Sequence, residues 1–275
     1  MNGPPPEPVA DIGLWGLGAA YLLLILPFGI LLHRGVPMVG RTAVAILRMT
    51  VQLLFVGLYL QVVFNLNSVW LNLAWLAVMI GVADGTIVRA CDMRLRRFVA
   101  PLFLGLVVGT LIPLLFFLGP ILHRPGVLDA RYMIPLGGMI LGNCLRADII
   151  GLRSFYDALR AGRKPYLHSL AQGATLNEAL RPYARDALQA ALAPTVATMA
   201  TIGLVALPGM MTGVILGGAN PLTAIQYQIA IMIAIFTGTA ITVYLAIRLS
   251  TRTSFDAWGV LDTTVFRQRT GRKGR

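Results

Sequence analysis

Seven apolar stretches of transmembrane length alternate with short polar segments along the chain, at 12–32, 42–64, 69–88, 98–119, 132–150, 191–216 and 222–247. Each approaches or exceeds the roughly 20 residues that a helix needs to cross the hydrocarbon core of a bilayer. The pattern predicts an all-α integral membrane protein with about seven transmembrane helices. Pro27 softly interrupts the first span, and Asn65 to Ser68 make a tight uncharged turn between the second and third.

The longest polar interruption separates spans five and six, and local signals predict a structured elbow over about 162–190. Gly173 is suited to the left-handed conformation that closes a helix. Thr175-Leu176-Asn177-Glu178 fits a capping box, in which the Thr175 hydroxyl and the Glu178 carboxylate satisfy each other's backbone N–H. One helix therefore ends near Gln172 and the next starts near Leu176. Pro182 disfavours helix at Arg181, so this second helix is expected to be short, with a third beginning at Pro182. Leu176, Leu180, Tyr183, Ala187 and Leu188 recur at helical spacing, with Arg181, Arg185 and Asp186 between them. That amphipathic pattern suits either a lipid surface or a soluble partner.

Composition agrees. Of 275 residues, 57% are hydrophobic and 12% charged, with mean hydropathy +0.75. The net charge of +12 is not a nucleic-acid signature, because the basic residues sit at the ends of apolar stretches. Arg48 and Arg146 lie within spans. The other Lys and Arg divide 19 to 2 between alternate sides, with only Arg124 and Arg131 on the sparse side. The basic side is cytoplasmic by the positive-inside rule. Seven spans then place the N-terminus outside and the C-terminus inside. Three segments follow: a proline-rich head expected to be disordered (1–11), one transmembrane domain (12–250) and a basic cytoplasmic tail (251–275). The head has no basic n-region, so the first span is expected to be retained rather than cleaved as a signal. Cys91 and Cys144 are too few for a disulfide framework.

Glycines at four-residue spacing can bring helices into close contact: Gly81/Gly85, Gly105/Gly109, Gly138/Gly142 and, as the strongest series, Gly209/Gly213/Gly217. They suit packing within the bundle or a dimer face. Charges within spans are costly and are paired or functional. Arg48 shares a helix face with Gln52 and is expected to pair with Asp148 or Asp84. Asn143 and Cys144 follow Gly138 and Gly142 and suit the lining of a path, as they suit a satisfied interhelical contact. Met210 and Met211, with Met139 and Met199, could offer thioethers to a soft metal or simply fill space. His33, His123 and His168 sit in loops and form no ligand spacing. The chain contains no G-x-x-x-x-G-K-[S/T], H-E-x-x-H or G-x-S-x-G. It therefore has no nucleotide loop and no recognisable catalytic motif of its own. Uphill transport would need an ATPase in another chain.

R-x-x-x-Q-L at Arg48 and Gln52, IPLGGMILGN at 134–143, LAQGAT at 170–175, LPGMMTG at 207–213 and YQIAIM at 227–232 carry a resemblance. The chain resembles the FetB-type permease family, membrane subunits of small ABC transporters that include bacterial iron exporters and plant aluminium-tolerance permeases. The resemblance covers about residues 12–250. It implies a permease homodimer in the bacterial inner membrane, paired with two ATP-binding subunits that carry ATP and Mg. It implies export of a metal ion such as iron, with no cofactor in this chain. The elbow would be a coupling helix shaped by Gly173, Ala174 and Thr175, with Glu178, Arg181 and Arg185 facing the ATPase. The translocation path would draw on Arg48, Gln52, Asn143, Cys144, Asp148, Met210 and Met211. Family members carry a glutamate just before the elbow glycine, where this chain has Leu167, His168 and Ser169. Two other readings stay open: a permease for a sugar nucleotide or another anion, which Arg48 and Arg146 would suit, and a membrane scaffold or sensor.

Overall fold

The computed structural model describes residues 13–66, 68–122, 129–205, 207–256, 258–262, 264 and 266. The head at 1–11 and His123 lie outside them. The chain is an all-α membrane protein. Its helices are α1 (Leu14–Leu22), α2 (Ile25–His33), α3 (Val39–Leu66), α4 (Val69–Ala90), α5 (Leu95–Phe116), α6 (Ala130–Ala161), α7 (Arg163–Ala171), α8 (Leu176–Thr201), α9 (Gly209–Leu216) and α10 (Pro221–Ser254). A π-helical turn, Phe117–Ile121, extends α5. Among the described residues, six helical stretches are long and apolar enough to cross a membrane. The break between α1 and α2 falls at Leu23 and Leu24, where Pro27 denies the Leu23 carbonyl its helical donor.

The expected sixth span, 191–216, is not one helix. α8 ends at Thr201, Gly203 takes a positive φ of 84°, and α9 starts after Pro208. The expected helix start at Pro182 is also absent, because α8 runs unbroken through Pro182 and Pro194. Packing outweighs the lost backbone bond at Pro182. Ala179, Leu180 and Ala187 are buried on either side of it, and the Tyr183 hydroxyl donates to the Gly162 carbonyl at 3.1 Å.

α4, α5, α6, α8 and α10 form the core, with Leu76, Leu102, Leu106, Ile140, Ala187 and Val243 all almost fully buried. The closest approach is between α5 and α10. A Cβ on Gly109 would overlap Thr242 and lie 3.0 Å from the Gly238 carbonyl. Of the small-residue series, Gly105/Gly109 therefore sits at a helix contact. Gly81, Gly85, Gly209 and Gly213 meet no neighbour within 4 Å. α1 and α2 bury no described residue and α3 buries only Val63, which joins Ala130 and Ile134 in a small satellite cluster.

α6 has 32 residues and α10 has 34. At 1.5 Å per residue they are about 48 and 51 Å long, against a hydrocarbon core of about 30 Å. Both exceed that thickness, and their ends nearest the elbow carry α7, the elbow and the strap that follows α10.

Candidate translocation path and elbow

The turn between α7 and α8 carries the helix stop and the cap that its residues predict. α7 stops at Ala171, and Gly173 adopts φ +92°. Thr175 then caps α8: the Glu178 carboxylate accepts from the Thr175 N–H at 2.8 Å, and the Glu178 N–H donates to the Thr175 hydroxyl oxygen at 3.3 Å. The Thr175 hydroxyl and N–H together hold the Glu178 carboxyl below its usual range. Gly173, Thr175, Glu178, Arg181 and Arg185 are exposed, and Ala174 is half-buried against the core.

A strap follows α10, and no sequence pattern announces it. Phe255 and Leu261 form an antiparallel bridge, and Asp256 accepts from the N–H groups of Trp258 and Val260. The Tyr166 hydroxyl donates to the Gly259 carbonyl at 2.6 Å, and burial pushes that hydroxyl's pKa up to about 12. Gly259 has φ +74° and sits against Leu170 and Leu176, the residues that flank the elbow. Farther on, Asp262 pairs with Arg97 at 3.0 Å, and Thr264 holds the Asp262 carboxyl below its usual range. Phe266 bridges to Met93, packs on Tyr156 and Phe98, and carries the Arg160 guanidinium 4.1 Å above its ring. It lines a cavity of about 370 Å³ with Cys91, Arg153 and Asp157. Burial pushes the Cys91 thiol up to about 12, which leaves it protonated at neutral pH.

The candidate path residues do not converge on one point. Arg48 and Gln52 are exposed on α3. The expected pairing of Arg48 with Asp148 or Asp84 is not made, and the ion pairs among the described residues are Arg97–Asp262 and Arg160–Asp157. Asn143 donates to the Met139 carbonyl at 2.8 Å and lines a cleft of about 210 Å³ with Arg146, Thr195 and Thr198. The next residue, Cys144, is wholly buried and faces Gly238 on α10. Asp148, one turn along, is 1% exposed, as is Asp84 on α4, and each leaves Oδ1 without a hydrogen-bond partner. Asp84 and Asp148 stand on α4 and α6, two helices that pack against each other. Met210 packs on the core, while Met211 lines a separate cavity of about 420 Å³ with Met199, Met232 and Gln228. Among the described residues, no three His, Cys, Asp or Glu side chains form a ready metal cage.

The arrangement is a set of polar groups stationed along a helical bundle. It offers no nucleophile–base pair and suits passage or docking better than bond chemistry. Sequence reasoning named Asp84 and Asp148 separately, and only the α4–α6 packing brings them near each other. It missed Thr242, Gln228 and Arg248, which carry no spacing signal.

Comparison with known proteins fits this architecture. The sequence profile of the uncharacterised protein family UPF0014 matches residues 14–255. The chain belongs to this family. The UPF0014 membrane protein slr1647 of Synechocystis sp. is 37% identical over 235 residues, covering 85% of this chain and 89% of that one. The protein ALUMINUM SENSITIVE 3 of Arabidopsis thaliana is 33% identical, covering 78% and 77%. The probable iron export permease protein FetB of Escherichia coli is 29% identical, covering 76% and 80%. No solved structure matches the chain. One of these relatives is named as a permease, in keeping with a role in transport rather than catalysis.

Proposed function

We propose that the chain is the permease subunit of an ABC transporter and exports a metal ion such as iron, driven by ATP hydrolysis in a separate subunit. The observation that carries this reading is the capped elbow. It is exposed, held by a capping box, and joins α7, at the end of α6, to α8, as a lever worked by a partner needs to be. The FetB name of the Escherichia coli relative supports the cargo. On this reading α8 and α9 together make a broken seventh crossing, since they lead from the elbow to the far end of α10. The basic elbow end then faces the cytoplasm of a bacterial inner-membrane protein. ATP binding in the partner would push the elbow as a rigid body and re-aim α6 and α8. Asp84, Asp148 and Cys144 offer oxygen and sulfur donors inside the bundle.

The test is co-expression with a candidate P-loop ATPase, sought first among the neighbouring genes. The two should co-purify, and hydrolysis should rise when the permease is reconstituted. Gly173→Pro should abolish transport while leaving insertion intact, because proline cannot adopt φ +92°. Unchanged metal efflux in that variant would sink the coupling role. A second reading, an anionic cargo, draws on Arg48 and Arg146, which make no ion pair among the described residues. Efflux assays comparing iron with a sugar nucleotide separate the two.

A further inference from the structure

Arg181 and Arg185, both exposed, also line a lateral cavity together with a third arginine. The cavity, of about 440 Å³, lies between the first turns of α8 and the last third of α10, with Phe155 of α6 at its back. Arg181, Arg185 and Arg248 line it together with Asn177 and Thr251, and no Asp or Glu does. Arg181 and Arg185 make no ion pair among the described residues, and Arg248 donates only to the Tyr244 hydroxyl at 2.8 Å. Three guanidinium groups lining one cavity, with no acidic residue among its described lining, favour an anion there. Their planar donor forks match the oxygens of a phosphate.

The rest of the wall says which phosphate. Leu188, Tyr244 and Ile247 give the same cavity an apolar wall beside the arginines, with Tyr244 51% exposed. Tyr244 and Arg248 lie 23 and 27 residues beyond Pro221 in α10. At 1.5 Å per residue they stand about 35 and 41 Å from the far end of that helix. That is the depth of the opposite interface and headgroup layer, where amphipathic aromatic rings collect. A soluble anion gains nothing from the apolar wall, whereas a phospholipid fills both parts at once.

We propose that Arg181, Arg185 and Arg248 bind the headgroup phosphate of an anionic phospholipid, with its acyl chains along Leu188, Tyr244 and Ile247. The site holds the start of α8 against α10, immediately beside the elbow. Basic recesses between membrane helices recognise anionic headgroups by the same chemistry. The proposal rests on the membrane embedding of the family and on the cavity. It does not require an ATPase or any particular cargo, so its failure leaves the transport reading standing, and the reverse.

The test uses the purified full chain in a neutral detergent, challenged with an equal mixture of phosphatidylglycerol and phosphatidylcholine and read by native mass spectrometry. The wild type should retain phosphatidylglycerol with a preference of roughly tenfold or more. Combining Arg181→Gln, Arg185→Gln and Arg248→Gln should abolish that preference. The matching set of lysine substitutions should keep most of it, and Arg163→Gln, outside the cavity, should leave it unchanged. Circular dichroism confirms that each variant keeps its helical content. Excess inorganic phosphate or ATP should not displace the lipid. Equal retention of both lipids by the wild type, or an undiminished preference in the glutamine variant, overturns the site. Displacement by phosphate or ATP overturns the lipid assignment in favour of a soluble anion.

Discussion

α1 to α3 are about as apolar as α5 and α10, yet the two groups occupy opposite situations. α3 spans 28 residues and buries one of them, whereas the 22 residues of α5 include eight buried ones. Small residues at points of closest approach make the difference. Gly109 and Gly238 let the α5 and α10 backbones nearly touch, while Gly57 on α3 has nothing within 4 Å. In lipid there is no hydrophobic penalty for leaving an apolar face uncovered, so association depends on close packing and polar contacts. Apolar length decides that a helix enters the membrane, and the fit of its surface decides which helices hold together.

The largest expected effect compares two glycines. Gly109→Val should destabilise the bundle by about 3 kcal/mol, because the new side chain collides with Thr242 and with the α10 backbone. Gly57→Val should stay within about 0.5 kcal/mol. Equilibrium unfolding in mixed micelles reads both, and equal effects would break the contrast. Next, Leu76→Ala removes a side chain that is 2% exposed and should cost about 2 kcal/mol or more. Leu54→Ala, at a position 64% exposed, should cost well under 1 kcal/mol in the same assay. Arg48→Leu sharpens the position of α3 itself. With no partner in the bundle, its loss should leave unfolding within about 1 kcal/mol of the wild type; a larger loss would show that α3 is anchored through it. The smallest effect belongs to the elbow. The carboxyl of Glu178 is held below its ordinary value of 4.5. Its contribution to the cap is therefore complete above about pH 4.5 and fades as pH falls through the lower folded value. Amide exchange at Thr175 should quicken in that acidic window in the wild type, and Glu178→Gln should remove the dependence.

Local chemistry was legible wherever neighbouring residues settle it. Gly173, Thr175 and Glu178 announce the elbow because a cap is made by residues three apart. Pro182 misleads for the same reason: its local cost is real, but Tyr183, Ala179 and Ala187 outweigh it through contacts that no short window contains. The Gly209 series carries the strongest small-residue spacing and lies at no helix contact, whereas Gly109 carries a weaker one and lies at the tightest. Spacing gives a helix a face without saying what meets it. The proximity of Asp84 to Asp148, the meeting of Arg248 with Arg181 and Arg185, and the docking of Phe266 all join segments far apart in the chain.

That last contact bears on the order of assembly. Arg97 finds its partner Asp262 across 165 positions, and Phe98 and Met93 wait for Phe266 in the same way. During synthesis α4 and α5 enter the membrane with this end uncovered, and it stays so until α6 through α10 have followed. Contacts of such separation form slowly, because a long loop must close first. The start of α5 thus stays open in an unfinished chain, and the strap's arrival closes it.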